Sequence, residues 1–273
     1  MRVNGIEIAF EEHGSGTRPL LLLHGFTGYR QDFATQVGPL AEQGRVIVPD
    51  LRGHGDSSRG APADYTLRQL QEDLLGLLDA LDVACCDLLG HSMGGMVALR
   101  AALGAPERFG SLILMDTAPG PLPWVDREQL ALASRVAHEA GMKTLATILR
   151  ARAKDDPERG EPDRRLEASW GEERFWQWRE SRIAVMDPNA YEAFGRALVE
   201  QEDLTPRLAS IGVPTTVLVG ERDREFRVPA ERLAREIPDA FLVVLPEAGH
   251  QPQLEAPAAW LAAVTAHVER ARG

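Results

Sequence analysis

The chain predicts an α/β fold: a mostly parallel sheet flanked by helices, with one helical insertion. Three observations carry this. Short apolar runs recur at 20–24, 45–50, 85–89, 111–115, 214–220 and 241–245, and continuous apolar runs suit strands buried on both faces of a parallel sheet. Segments of helical period separate them, the order that builds βαβ units. From about 119 to 200 no strand-like run occurs; that stretch is helical in pattern, charged and rich in arginine.

Taken in order, residues 6–10 alternate apolar and polar like an edge strand, and the turn Gly14-Ser15-Gly16 follows. Residues 20–24 read as a buried strand and 30–43 as helix. The strand 45–50 runs into the loop Arg52-Gly53-His54-Gly55-Asp56-Ser57. Across 66–81, Leu67, Leu70, Leu74, Leu77, Leu78 and Leu81 recur at a helical period, and Thr66-x-x-Gln69 has the form of a capping box. Strand 85–89, helix 93–103 and strand 111–115 follow. Four of the five tryptophans (Trp124, Trp170, Trp176 and Trp178) fall in the insertion. Beyond it, strands 214–220 and 241–245 alternate with helices 229–237 and 260–270. The reading is therefore a core of 1–118 and 201–273 and a helical cap, or lid, of 119–200. Function in open α/β sheets sits at the carboxyl ends of the strands; an insertion leaving there lies over the site.

A chain of 273 residues, 44% hydrophobic and 26% charged, matches one globular domain or a core with an insertion. Its net charge of −11 opposes a nucleic acid or an anionic membrane as partner, since both select basic surfaces. No apolar run approaches the ~20 residues of a membrane span, and Met1-Arg2 leads into no signal-like apolar region. A cytoplasmic location, a small-molecule partner and a monomer or homodimer are expected. The two cysteines, Cys85 and Cys86, are neighbours inside a buried strand. They read as reduced core thiols, and no cluster with metal-ligand spacing exists, so no metal is expected.

Gly90-His91-Ser92-Met93-Gly94 lies where an apolar run meets a helical pattern. The pattern G-x-S-x-G describes a nucleophile elbow, a sharp strand-to-helix turn that exposes its serine. Gly90 and Gly94 carry no Cβ and let strand and helix pass close. Alone the motif is weak, because roughly one chain in ten of this length would hold it by chance at average glycine usage. Its partners strengthen it. A serine needs a base, and His250 follows the last strand in Pro246-Glu247-Ala248-Gly249-His250. The base needs an orienting carboxylate, and Asp223 follows the strand 214–220 in Gly220-Glu221-Arg222-Asp223. Glu221 lies closer to the strand end, and Asp116, ending 111–115, is a rival. Among the other histidines, His13, His138 and His267 read as surface residues. His24 and His54, in Gly-flanked loops, read as backbone-bonding, and His91 as pointing away from the nucleophile. The order Ser92, Asp223, His250 is nucleophile, acid, base. Oxyanion donors are expected from the backbone N–H of Met93, at a helix N-terminus, and of Phe26, after strand 20–24.

Leu23-His24-Gly25-Phe26-Thr27-Gly28, Asp50-Leu51-Arg52-Gly53-His54-Gly55-Asp56-Ser57, Gly90-His91-Ser92-Met93-Gly94-Gly95, Gly220-Glu221-Arg222-Asp223 and Ala248-Gly249-His250 together resemble the α/β-hydrolase fold family over about 3–271, most weakly in the insertion. The resemblance implies an eight-stranded, mostly parallel sheet, a helical cap and cofactor-free catalysis through an acyl-serine. The 52–57 loop is a structural signature of that family. Serine at the elbow departs from haloalkane dehalogenases and epoxide hydrolases, which carry aspartate there. The menaquinone-pathway synthase is similar in Gly25-Phe26-Thr27-Gly28 and Asp116-Thr117-Ala118-Pro119-Gly120. It tends to have Tyr and Arg where this chain has His91 and Met96, and ring-cleavage-product hydrolases tend to have Trp at Gln251. The expected activity is hydrolysis of small carboxylic esters by an acyl-serine mechanism. The alternatives are a lactonase, a carbon–carbon bond hydrolase or lyase, and a receptor-like ligand binder. Phe26, Trp124, Trp176 and Trp178 are the expected pocket residues, the cap aromatics having a second possible role as the cap's own core. The cap arginines are expected to be solvated or to pair with nearby carboxylates, with an acidic substrate as the alternative partner.

Overall fold

Four consecutive leucines cannot alternate between core and solvent. The strand they form, Leu20–Leu23, is buried at every position, and so is Val46–Pro49. The computed structural model describes residues 1–156 and 159–273. The strands are β1 (Arg2–Val3), β2 (Ile6–Glu7), β3 (Phe10–His13), β4 (Leu20–Leu23), β5 (Val46–Pro49), β6 (Cys86–His91), β7 (Phe109–Met115), β8 (Thr215–Gly220) and β9 (Phe241–Leu245). Seven form the central sheet in the order β3-β5-β4-β6-β7-β8-β9. All neighbours pair in parallel except β3 with β5.

The expected eighth strand is not in that sheet. β1 and β2 pair with each other, because Asn4 and Gly5 both take positive φ, 46° and 83°, the backbone of a tight hairpin turn. The predicted edge strand 6–10 is thereby divided: Ile6 and Glu7 belong to the hairpin and only Phe10 to the sheet edge.

The helices are α1 (Ala34–Ala41), α2 (Leu67–Ala80), α3 (Met93–Gly104), α4 (Arg127–Ala140), α5 (Met142–Asp155), α6 (Glu161–Trp170), α7 (Glu172–Ala184), α8 (Pro188–Glu200), α9 (Arg224–Glu236), α10 (Pro252–Glu255) and α11 (Pro257–Arg272). Thr66 caps α2, its Oγ1 accepting from Gln69 N at 3.0 Å. One apolar core lies between the sheet and α2, α3 and α9; a second packs α1 and α11 on the other face. His267, read as a surface residue, is buried in α11 with Nδ1 2.8 Å from Thr216 Oγ1.

Between β7 and β8 the described chain holds five helices, α4 to α8, and no strand. Gly141 and Gly171, at φ 86° and 85°, break α4 from α5 and α6 from α7. Asp187 caps α8 and accepts from Tyr65 Oη at 2.8 Å, joining the insertion to the core. Among the described residues no helix is long and apolar enough to cross a membrane.

Candidate active site

Ser92 sits between the end of β6 and the start of α3, at φ 52°, ψ −116°. That backbone is strained for a residue with a Cβ, so its surroundings must hold it. Ser92 N donates to Met115 O at 2.9 Å. Its carbonyl accepts from Gly95 N (2.9 Å), Met96 N (3.2 Å) and Thr117 Oγ1 (2.7 Å). The two flanking glycines are sterically required. A Cβ on Gly90 would lie 2.4 Å from Gly94 O, and one on Gly94 would lie 2.6 Å from both Leu23 O and His24 O.

His250 stands in the loop after β9, its ring stacked on Phe226 at 4.8 Å. Its Nδ1 donates to Asp223 Oδ2 at 2.7 Å, which leaves Nε2 to exchange a proton. Asp223 occupies the N-cap position of α9, just past β8. Burial raises the affinity of its carboxyl for a proton. The charge of His250 and its hydrogen bond outweigh burial and hold it below the ordinary carboxylate value. Asp116, the rival acid, ends β7 and is fully buried, and Gly220 N donates to its Oδ1 at 2.9 Å. Burial and then the charge of Asp223 push it well above the ordinary value.

Two residues that the sequence reading did not assign hold the His250 loop. Glu255 Oε2 accepts from Gly249 N at 2.6 Å and Gln251 N at 3.2 Å, on either side of His250; burial raises this carboxyl to about 7. His91 does not stand apart from the site. Its Nε2 donates to His250 O at 2.8 Å, and burial and His250 keep the imidazole neutral. These contacts depend on which loops meet in space. The nearest signal is the acid five residues after His250.

The loop after β4 brings Phe26 to the same place. His54 Nε2 donates to Phe26 O at 2.5 Å, and His24 donates to Gly25 O and accepts from Leu51 N, each at 2.9 Å. Both histidines thus bond backbone, as expected. Among the described residues, the N–H groups of Phe26 and Met93 have no intramolecular acceptor. The 52–57 loop is structural: Arg52 is buried and gives two 2.7 Å hydrogen bonds to Asp73.

Ser92, Asp223 and His250 share the wall of one cavity of about 810 Å³ with Phe26, Trp124 and Trp178. Trp176, an expected pocket residue, is not there. It is fully buried in the insertion's own core with Phe175 and Leu166, and its Nε1 donates to Glu167 at 2.8 Å. Two residues along a helix project roughly 200° apart, so Trp178 faces the cavity and Trp176 faces away. Among the described residues, four of the six arginines in the cavity wall have carboxylate partners: Arg159 pairs with Glu167, Arg179 with Asp163, Arg182 with Asp32 and Arg222 with Glu247. Asp116, Asp223 and His250 place one ligand-type atom each within 4.8 Å of the others. Two of these residues, His250 and Asp223, are hydrogen-bonded to each other at 2.7 Å.

A family model described as alpha/beta hydrolase fold matches residues 18–257. A dihydrolipoyllysine-residue acetyltransferase component of the acetoin cleaving system from Pseudomonas putida is 35% identical over 255 residues; the alignment covers 90% of this chain and 62% of that protein. This chain therefore spans less than two thirds of that relative's length. A thermophilic esterase from Thermogutta terrifontis is similar at 30% identity and TM-score 0.80, covering 98% of this chain and 95% of that one. The enol-lactonase from Burkholderia xenovorans LB400 is similar at 26% identity and TM-score 0.82, covering 98% of each.

Proposed function

The chain belongs to the alpha/beta hydrolase fold family, and from that premise we propose that it is a serine hydrolase cleaving small carboxylic esters through a Ser92–His250–Asp223 triad. The observation that carries this reading is the strained Ser92 turn on the wall of the cavity that also holds His250, itself hydrogen-bonded to Asp223.

In this mechanism His250 Nε2 removes the Ser92 proton as Oγ attacks the ester carbonyl. Asp223 fixes the tautomer and stabilises the imidazolium. The oxyanion is received by the N–H groups of Phe26 and Met93. The second stands at the N-terminus of α3, where the helix dipole favours negative charge. His250 then protonates the leaving alcohol, and a water activated by the same imidazole releases the acid. Residues 119–200 act as the cap, with Trp124 and Trp178 presenting apolar surface to the acyl or alcohol part of the substrate.

A lactone is a second candidate substrate, supported by the likeness to the enol-lactonase, because a cyclic ester undergoes the same acyl transfer. The test is turnover of p-nitrophenyl acetate and butyrate. Wild type hydrolyses both, and Ser92→Ala lowers kcat by about 10⁴-fold or more. Equal rates in the two proteins refute the assignment. Competition by a γ- or δ-lactone then ranks the substrates.

A further inference from the structure

Asp116 has an unusual place for a side chain that also ends a strand. Its backbone is at φ 44°, its side chain is fully buried, and its Oδ1 is used by Gly220 N. Its Oδ2 is buried too, and among the described residues no N–H or O–H group donates to it. One carboxylate oxygen of Asp116 lies within 4.8 Å of a ligand-type atom on each of Asp223 and His250. Two bare carboxylates facing each other out of water repel strongly, so one keeps its proton. His250 satisfies the charge of Asp223 by a 2.7 Å hydrogen bond. Nothing comparable is offered to Asp116.

We propose that Asp116 is a positioning residue of the triad, a neutral carboxylic acid whose Oδ2–H donates to the Asp223 carboxylate. The proposal rests on the serine-hydrolase reading for its catalytic consequence. The proton stays on Asp116 through the reaction. Its task is to hold the Asp223 carboxylate in the orientation that His250 needs and to spread the charge that would otherwise raise the basicity of Asp223. The titratable groups facing Asp116 are Asp223 from the loop after β8, His250 from the loop after β9 and Glu255 from α10. Burial and the Asp223 charge both favour its neutral form. Asparagine at 116 keeps the same two roles, an acceptor for Gly220 N and a donor to Asp223, without a titrating proton.

The first measurement is infrared difference spectroscopy at neutral pH between wild type and Asp116→Asn. Wild type shows the C=O stretch of a protonated carboxylic acid, and the variant loses it. A spectrum with a lost carboxylate band instead overturns the proposal. The second is kinetic. Asp116→Ala lowers kcat by about tenfold or more with KM within about twofold, and Asp116→Asn recovers most of the loss with the wild-type pH profile. If Asp116 carried a charge beside His250, the asparagine variant would move the acid limb of that profile to lower pH, and this outcome overturns the proposal. Covalent labelling of Ser92 by a fluorophosphonate in the same samples separates the two claims. An unlabelled wild type refutes the serine-hydrolase reading, while the infrared band still reports on Asp116.

Discussion

At Ser92 the backbone and the side chain make opposed demands. A φ of 52° costs a non-glycine residue about 1–3 kcal/mol, yet only this turn lifts Oγ off the sheet between β6 and α3. Four hydrogen bonds to its N–H and carbonyl hold it there, and the clearance beside it comes from Gly94. A methyl at position 94 would meet two backbone oxygens at 2.6 Å, neither of which can swing away. Gly94→Ala is therefore expected to destabilise the fold by about 2–3 kcal/mol and to lower fluorophosphonate labelling, read by denaturant titration and mass spectrometry. Unchanged stability would show that α3 and β4 can part. The positions of Ser92, Asp223 and His250 near strand ends could be read from the sequence, because each falls within five residues of a strand and local glycines mark the turns. The bond from His91 to His250 O and the different directions of Trp176 and Trp178 could not. Each depends on which loops converge or on a helix rotation that spacing alone leaves undetermined.

Elements were legible where burial is two-sided. β4, β5, β6 and β8 are buried at every position, so they read as apolar runs. The N-terminal hairpin was missed, although Asn4-Gly5 is itself a hairpin-turn signal. α9 begins at Arg224, five residues before the predicted start, because Asp223 takes the cap position and Pro229 lies inside the helix. Proline favours the first turn of a helix, which misplaced the start. The link between α7 and the loop after β4 was equally invisible. Arg182 Nε lies 3.0 Å from Asp32 Oδ1, with Tyr29 Oη 3.2 Å from Ser181 Oγ alongside. Asp32 is fully buried, and burial raises its carboxyl's proton affinity while Arg182 opposes this. Removing the guanidinium strands a buried acid, so Arg182→Ala is expected to cost about 3 kcal/mol, measured by urea unfolding. Asp32→Asn in that background should recover part of it. A loss below about 0.5 kcal/mol would show that the pair is not a structural tie.

For the whole molecule, the sheet end and the helical insertion enclose the cavity at Ser92, whose upper wall draws on α6, α7, the segment 122–125 and Leu198 of α8. Acid stability also belongs at this scale. His267, packed between α11 and β8, has its affinity for a proton lowered by burial, to about 4, with Arg270 adding to the effect. The unfolded chain protonates this side chain near the reference value of about 6.5. It therefore binds more protons than the folded state between those values. Stability must fall as pH drops through that window, by at most about 3 kcal/mol. His267→Gln should flatten that part of the stability curve, followed by thermal melts from pH 7 to 4; a curve as steep as wild type would place the acid sensitivity elsewhere.

The central claim concerns Ser92, and intact-protein mass spectrometry after exposure to a fluorophosphonate tests it most directly. One equivalent of covalent adduct on wild type, mapped to Ser92, absent from Ser92→Ala and much slowed in His250→Ala, is the predicted result. A wild type that gains no mass, or gains it equally when Ser92 is alanine, would contradict the account.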